Sequence, residues 1–211
     1  MPIADLIMES LMLAGVSKFC FVVGKHKSLL MDYVSDKGVT FVFQNEPKGF
    51  GDAVARGGDF AGSEPVFVHA DDGVLTGGYV EAASLFGEKM PDAVLLLRKT
   101  DNPKRYGIAV VDREEKFMDH RVFEIKGVEE KPDAPKSDMM ISAVYIFSKR
   151  IFSEIGNAQG RTGEIELTTG IQNLIKGRGR VYGLLLEKEK WLNVGDTDSY
   201  YKALNYSYDN L

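Results

Sequence analysis

The sequence predicts an α/β fold in which a sheet carries helices on both faces and receives an inserted antiparallel β-ribbon. Three observations predict it. Strand-like and helix-like patterns alternate with short connections from Leu6 to Leu97, as in a largely parallel sheet covered by helices. After Arg98 the texture changes to β-rich segments separated by charged loops, and helices return near Lys149. The 211 residues, 44% hydrophobic and 27% charged, suffice for one sizeable core and exclude disordered or fibrous classes. No linker long enough to divide the chain appears, so a single domain over 1–211 is expected, with a parallel half over 1–98 and a β-containing half over 99–211.

The elements follow in order. Ile3, Leu6, Ile7, Leu11 and Ala14 recur at helical spacing and stop at Gly15, the residue type favoured just past a helix C-terminus. Residues 16–23 read as a buried strand closed by Gly24, 28–35 as a helix and 39–43 as a short strand. Gln44-Asn-Glu-Pro-Lys-Gly-Phe-Gly51 is a polar loop punctuated by Gly and Pro that leads into a small-residue helix over 52–61. A buried strand over 65–69 stops at Ala70-Asp71-Asp72-Gly73, and a helix over 79–86 and a strand over 93–97 follow. Strands over 108–111, 122–128 and 142–147 form the ribbon, expected to cover the parallel half. Helices over 149–155 and 165–175, a strand over 180–186 and a helix from about Ser199 complete the chain.

Charge and composition narrow the function. Twenty-six Lys and Arg against 31 Asp and Glu leave a net charge of −5, no footprint for a nucleic-acid duplex. An anionic ligand must therefore be held locally, by amides, a few cations or a metal. No apolar run approaches a membrane span and the first residues lack a signal-peptide pattern, so a soluble, cytoplasmic protein is expected. Cys20, the sole cysteine, lies in the apolar run Phe19-Cys-Phe-Val-Val23 and reads as a buried small hydrophobe.

Few segments carry chemistry. Asp71 and Asp72 follow a buried strand directly, so at least one carboxylate projects over the sheet edge, where such folds bind ligands and where hard oxygens suit Mg²⁺. Taken alone, Asp-Asp-Gly reads as a solvated turn. The glycines of Lys48-Gly-Phe-Gly51 let backbone approach a planar or phosphate-bearing ligand, and equally suit a loop entering a helix. Glu129-Glu130-Lys131-Pro132 ends a strand and sets carboxylate beside ammonium, able to read sugar hydroxyls and a phosphate or to form a solvated charge cluster. In Trp191-Leu-Asn-Val-Gly195 alternation puts the sole Trp and Asn193 on one side, or the indole simply packs beside a turn. Tyr106-Gly107 and Gly163-Glu-Ile-Glu-Leu-Thr168 say little singly. His26, His69 and His120 share no metal spacing with one another or with Cys20, so neither zinc nor a Cys/His nucleophile is expected. Neither a Gly-x-Ser-x-Gly elbow nor a Walker loop occurs.

Order combines these fragments. Leu11-Met-Leu-Ala-Gly15, Val23-Gly24-Lys25, Gln44-x-x-Pro47-x-Gly49, Ala70-Asp71-Asp72, Arg105-Tyr-Gly107, Val128-Glu-Glu-Lys-Pro132, Gly163-Glu-Ile-Glu-Leu-Thr168 and Trp191-x-Asn193-Val-Gly195 occur in one succession. The chain thereby resembles the sugar-1-phosphate nucleotidylyltransferases, above all glucose-1-phosphate thymidylyl- and uridylyltransferases, over essentially its whole length. The resemblance implies a Rossmann-like mixed sheet of the nucleotide-diphospho-sugar transferase type. It further implies Mg²⁺-dependent attack of a sugar-1-phosphate oxygen on the α-phosphorus of UTP or dTTP, with positioning and charge stabilisation carrying the catalysis. By the same resemblance Gln44 and Gly49 recognise the base, and Asp71 and Asn193 hold the metal. Tyr106, Gly107, Glu130 and Glu164 line the sugar pocket, and Lys131 faces the sugar phosphate. The nucleotide half is 1–98, the sugar half 99–211, and a homo-oligomer is compatible with all of this.

The chain departs from the pattern at four places. His69-Ala70-Asp71 replaces Leu-Gly-Asp, Thr169 stands where Asp usually follows, and Ala143 replaces a common Gly. The sequence also begins at the family's first helix, so the first strand and its Gly-x-Gly-Thr-Arg-Leu triphosphate loop do not appear in it. The chain as given is therefore expected to bind rather than to turn over, and its sheet to close the gap, recruit a strand or pair with a second molecule. Two rival readings follow: a non-catalytic nucleotide-sugar-binding or regulatory relative, and a metal-dependent glycosyltransferase, the latter opposed by the Gln44 loop and the Glu-Lys-Pro segment.

Overall fold

The computed structural model describes residues 2–25, 27–156, 160 and 163–210; His26 lies outside them. Helix α1 (Ile3–Leu13) leads to β1 (Cys20–Val23), α2 (Ser28–Val34) and β2 (Thr40–Phe43). Then come α3 (Phe50–Arg56), α4 (Gly58–Ala61), β3 (Val66–His69), β4 (Gly73–Leu75), α5 (Tyr79–Lys89) and β5 (Ala93–Lys99). The second half holds β6 (Gly107–Phe117), β7 (His120–Glu130), β8 (Met139–Phe147), α6 (Arg150–Ile155), α7 (Leu167–Lys176), β9 (Val181–Leu185), β10 (Trp191–Asn193) and α8 (Thr197–Asn210). Gly15 ends α1 as expected: at φ +92° it turns the chain, and its amide and that of Val16 donate to the Met12 and Leu11 carbonyls.

The main sheet has six strands in the order β3-β8-β5-β9-β7-β6. Alternation along β5 divides the core into two layers. Ala93, Leu95 and Leu97 pack with α6 and α7 residues such as Ile151 and Ile171, while Val94 and Leu96 pack with Leu11 of α1 and Ala82 and Leu85 of α5. Helices therefore cover both faces, as the unbroken apolar run predicts.

Two expectations are corrected. The sheet is not parallel through Leu97, because β8 lies between β3 and β5 and runs antiparallel to both. Val144, Tyr145, Ile146 and Phe147 of β8 are all buried, and a strand apolar on both faces gains most in an interior position. The β6–β7 hairpin prolongs the sheet edge through β9 instead of lying over the sheet.

β1 and β2 form a separate parallel pair. The sheet does not close, since no ladder joins β1 to β3 among the described residues. Both strands line one groove of about 1200 Å³.

Candidate functional site

Strand β3 delivers Asp71 and Asp72 to an exposed turn at its C-terminal end. A bulge in β8 shapes that turn: the β5–β8 register slips around Ala143, which adopts φ +50°, and the Ala143 carbonyl accepts the Ala70 amide at 3.1 Å. The chain then enters β4, three residues too short to be legible as a strand in sequence, which pairs antiparallel with β10 so that Asn193 stands opposite Gly73. The Val194 amide donates to the Asp72 carbonyl at 2.8 Å. Asp71 and Asn193 thus sit on adjoining stretches of chain. Partial burial, assisted by the charge of Asp71, raises the Asp72 carboxyl above its ordinary pKa.

The Asn193 side chain is already engaged. Its Oδ1 accepts the Gly195 amide at 3.0 Å, and its Nδ2 donates to Asp196 Oδ2 at 3.3 Å. Asp196 in turn accepts the Ser199 amide at the start of α8, an N-capping arrangement. One lone pair of Asn193 Oδ1 remains for a ligand.

Gln44 follows β2, and its amide donates to the Val23 carbonyl at 2.9 Å. Its Nε2 donates to Asp52 Oδ2 at 2.7 Å and to the Gly49 carbonyl at 3.3 Å, which leaves Oε1 to accept from a ligand. Burial pushes the Asp52 carboxyl up, but hydrogen bonds from Gln44 and Arg56 outweigh it and hold its pKa below the ordinary value. The loop is zipped to the 163–167 segment: the Gly51 amide donates to the Ile165 carbonyl at 2.9 Å, and the Ile165 amide to the Lys48 carbonyl at 2.7 Å. A β-carbon on Gly49 or Gly51 would stand 2.7 or 2.6 Å from that Ile165 carbonyl oxygen, so both glycines are required by the zipper itself. Glu164, exposed, is held against Gly49 and lines the large groove together with Gln44 and Asp71.

The remaining sequence-predicted residues meet at the junction of β6 and β7. Gly107 pairs with Glu130, and the Lys131 amide donates to the Tyr106 carbonyl at 3.1 Å. Thr168 Oγ1 donates to Glu130 Oε2 at 3.1 Å, and Lys131 Nζ lies 3.6 Å from Glu130 Oε1. Lys131 has φ +39°, a conformation costly for a side-chain-bearing residue and typical of binding sites.

Two residues were not singled out as site residues from sequence. Tyr145 of β8 is 5% exposed; burial and then the charges of Glu130 and Asp72 raise its hydroxyl pKa. His69 is stacked between Tyr79 and Trp191, with ring centroids 5.8 and 5.7 Å away. Its Nε2 is 2.8 Å from the Tyr79 hydroxyl and its Nδ1 2.6 Å from the Ala70 carbonyl. The carbonyl can only accept, so Nδ1 carries the proton and Nε2 accepts from Tyr79. Burial lowers the His69 pKa.

The sequence model described as nucleotidyl transferase matches residues 1–209. The chain is 28% identical over 183 residues to the low-salt glycan biosynthesis nucleotidyltransferase Agl11 of Haloferax volcanii, covering 83% of this chain and 49% of that protein. It is 25% identical over 202 residues to a glucose-1-phosphate thymidylyltransferase of Streptomyces antibioticus, covering 92% of this chain and 54% of that one. The chain thus spans about half the length of these two relatives. Among solved structures, a UDP-glucose pyrophosphorylase complexed with UDP-glucose superposes with a TM-score of 0.88 at 23% identity, over 100% of this chain and 88% of that one, a likeness of fold.

Proposed function

The chain belongs to the nucleotidyl transferase family, and from that premise we propose that it joins UTP or dTTP to glucose 1-phosphate, giving a nucleotide-sugar and pyrophosphate. What supports this reading is a pair of clusters, read as the two ends of one site: Gln44 lines the large groove with Asp71 and Glu164, and Glu130 stands with Thr168 and Lys131 at the β6–β7 junction. With its Nε2 held by Asp52 and Gly49, Gln44 offers Oε1 to the imide N–H that uracil and thymine share. Glu130 accepts hexose hydroxyls beside Tyr106, Gly107 and Glu164. Residues 1–98 serve the nucleotide and residues 99–211 the sugar, and triphosphate substrates place the work in the cytoplasm.

In the reaction an oxygen of the sugar phosphate bonds to the α-phosphorus as the bond to the bridging oxygen of the β-phosphate breaks, and pyrophosphate leaves with the electron pair. The role of the protein is to align the two phosphates and meet the charge on their oxygens. Lys131, 66% exposed at its side chain, holds the sugar phosphate. Asp71 and Asn193 fit Mg²⁺ as hard oxygen donors, and they sit on adjoining stretches of chain joined by the Val194 to Asp72 hydrogen bond. Mg²⁺ takes much of its shell from substrate phosphates and water, so one or two protein donors suffice. When bound, Mg²⁺ would neutralise charge on the phosphoryl oxygens.

A binding relative without turnover is the second reading. It is favoured by the charge of the groove, whose described lining sets Lys18 and Lys27 against Glu64, Asp71 and Glu164, a weak hold on a triphosphate. The test is to incubate the chain with glucose 1-phosphate, Mg²⁺ and each common nucleoside triphosphate, following pyrophosphate, and in parallel to titrate UDP-glucose and dTDP-glucose by calorimetry. Product with UTP or dTTP supports transfer. Binding of the nucleotide-sugar without product supports the second reading, and absence of both contradicts the two together.

A further inference from the structure

We propose that Asp196 is a positioning residue for the metal: it locks the Asn193 amide so that oxygen, and never nitrogen, is the end offered to Mg²⁺. This rests on the reading of Asp71 and Asn193 as the Mg²⁺ donors. An amide is an ambiguous donor, since only its oxygen suits a hard cation while its two ends share one shape. At Asn193 the neighbours remove the ambiguity. The Gly195 N–H can only donate, and its nitrogen lies 3.0 Å from Oδ1. The ionised Asp196 carboxylate can only accept, and its Oδ2 lies 3.3 Å from Nδ2. Turning the amide over would set N–H against N–H and oxygen against carboxylate, so both neighbours select one orientation. Ser199 completes the lock: its hydroxyl donates to Asp196 Oδ2 at 2.7 Å, and its oxygen accepts from Asn193 Nδ2 at 3.4 Å. Oδ1 is thereby kept on the side of the Asp71–Asp72 turn. A β-carbon on Gly195 would stand 3.3 Å from Asn193 Oδ1 and 3.6 Å from Asp72 Cβ.

Helix capping alone does not account for the pair. The cap of α8 uses Oδ1 of Asp196, which accepts the Ser199 amide at 2.9 Å, and leaves Oδ2 for Asn193. A carboxylate is the commoner Mg²⁺ donor. At position 193, however, it would face Oδ2 of Asp196 across the 3.3 Å that the amide nitrogen now bridges, and the two like charges would repel. Asp196 therefore makes Asn the residue that position 193 requires. The negative charge is not lost but stands one hydrogen bond behind the donor. A charged acceptor on Nδ2 makes Oδ1 more negative, as partners behind a metal ligand raise its basicity.

The test separates the lock from the cap. Asp196→Ser removes the carboxylate and keeps an N-capping side chain, so melts followed by circular dichroism should coincide with those of the wild type. Nitrogen-15 NMR of the metal-free chain reads the lock itself, with Asn193→Ala identifying the signal. In the wild type the charged acceptor should shift one Nδ2 proton downfield of the ordinary asparagine range, and Asp196→Ser should return it. Mn²⁺, standing in for Mg²⁺, is then titrated in the presence of UDP-glucose and followed by water-proton relaxation. Asp196→Ser should bind it about tenfold or more weakly than the wild type, the loss expected when a ligand's supporting partner is removed. Asp196→Asn, also a capping residue, should show a smaller loss of the same sign. An Nδ2 signal that Asp196→Ser leaves in place would overturn the proposal. So would equal Mn²⁺ affinity in wild type and Asp196→Ser while Asn193→Ala binds more weakly, since Asp196 would then only cap α8. Equal affinity in wild type and Asn193→Ala would instead remove the metal reading itself, and the proposal with it.

Discussion

His69 and Trp191 stack with their ring centroids 5.7 Å apart and 24° between their planes. His69 lies two residues before Asp71, and Trp191 two residues before Asn193. The stack, with the Val194 to Asp72 hydrogen bond beyond it, fixes the separation of Asp71 and Asn193, the two residues proposed to hold the metal.

Replacing His69 by Leu fills the place of the imidazole with an apolar side chain but removes the stack and the acceptor for the Tyr79 hydroxyl, which belongs to a residue only 3% exposed. The Tyr79 oxygen keeps a backbone hydrogen bond with Leu75, but a buried O–H left without an acceptor costs about 1–3 kcal/mol. Urea unfolding of His69→Leu should show a loss of that size, and the emission of the sole tryptophan should shift. Unchanged stability and emission would mean that the stack holds nothing in place.

Gly73 is the floor beneath the same indole. A β-carbon there would stand 2.2 Å from Trp191 Cε2, so Gly73→Ala should expel the ring or part β4 from β10. Overpacking of this kind costs about 1–3 kcal/mol. Circular dichroism melts check the stability and Trp191 emission the displacement; a melt and a spectrum like those of the wild type would contradict the geometry.

Ala143 pays for its place in the β8 bulge with φ +50°. Glycine adopts that conformation freely, so Ala143→Gly should stabilise the fold by about 0.5–1 kcal/mol after allowance for the freer unfolded chain. Chemical denaturation reads the difference, and a destabilised variant would show that the methyl group packs usefully.

These residues mark where sequence reasoning reached and where it stopped. The run Ala93 to Leu97 was legible as a strand, and Gly15 as a helix end, because each depends on local pattern. The position of β8 between β3 and β5 was not, since an apolar run says that a strand is buried and not which edges it joins. Asp71 and Asn193 could be nominated in order, but the partners of His69 at positions 79 and 191 are brought to it only by the fold. Tyr145 was indistinguishable from a core aromatic, its distinction being the charges around its hydroxyl. Gly49 and Gly51 drew notice as ligand-facing glycines, and the structure adds a backbone zipper to Ile165 that needs them with or without a ligand.

Asp52 gives a pH signature. Its pKa is depressed in the folded chain, so the stability it contributes is present above its unfolded value near 3.8 and is lost as pH falls through the lower folded value. Asp52→Asn should therefore be less stable than wild type at pH 7, and the gap should narrow only below about pH 3.8. Urea midpoints of both proteins at pH 7 and pH 3 test this; a gap that is constant with pH would mean that the carboxylate charge contributes nothing.

Calorimetric titration of wild type, Gln44→Ala and Glu130→Ala, each with UMP and dTMP and separately with glucose 1-phosphate, tests the two-ended site most directly. Loss of one hydrogen-bonding partner acts locally, at about 0.5–1.5 kcal/mol for a neutral pair and up to about 3 where one group is charged. Gln44→Ala should weaken the nucleotide roughly three- to tenfold and leave the sugar phosphate unchanged, while Glu130→Ala should weaken the sugar phosphate tenfold or more and leave the nucleotide unchanged. Equal losses for both ligands from either substitution, or no binding of either ligand by the wild type, would contradict it.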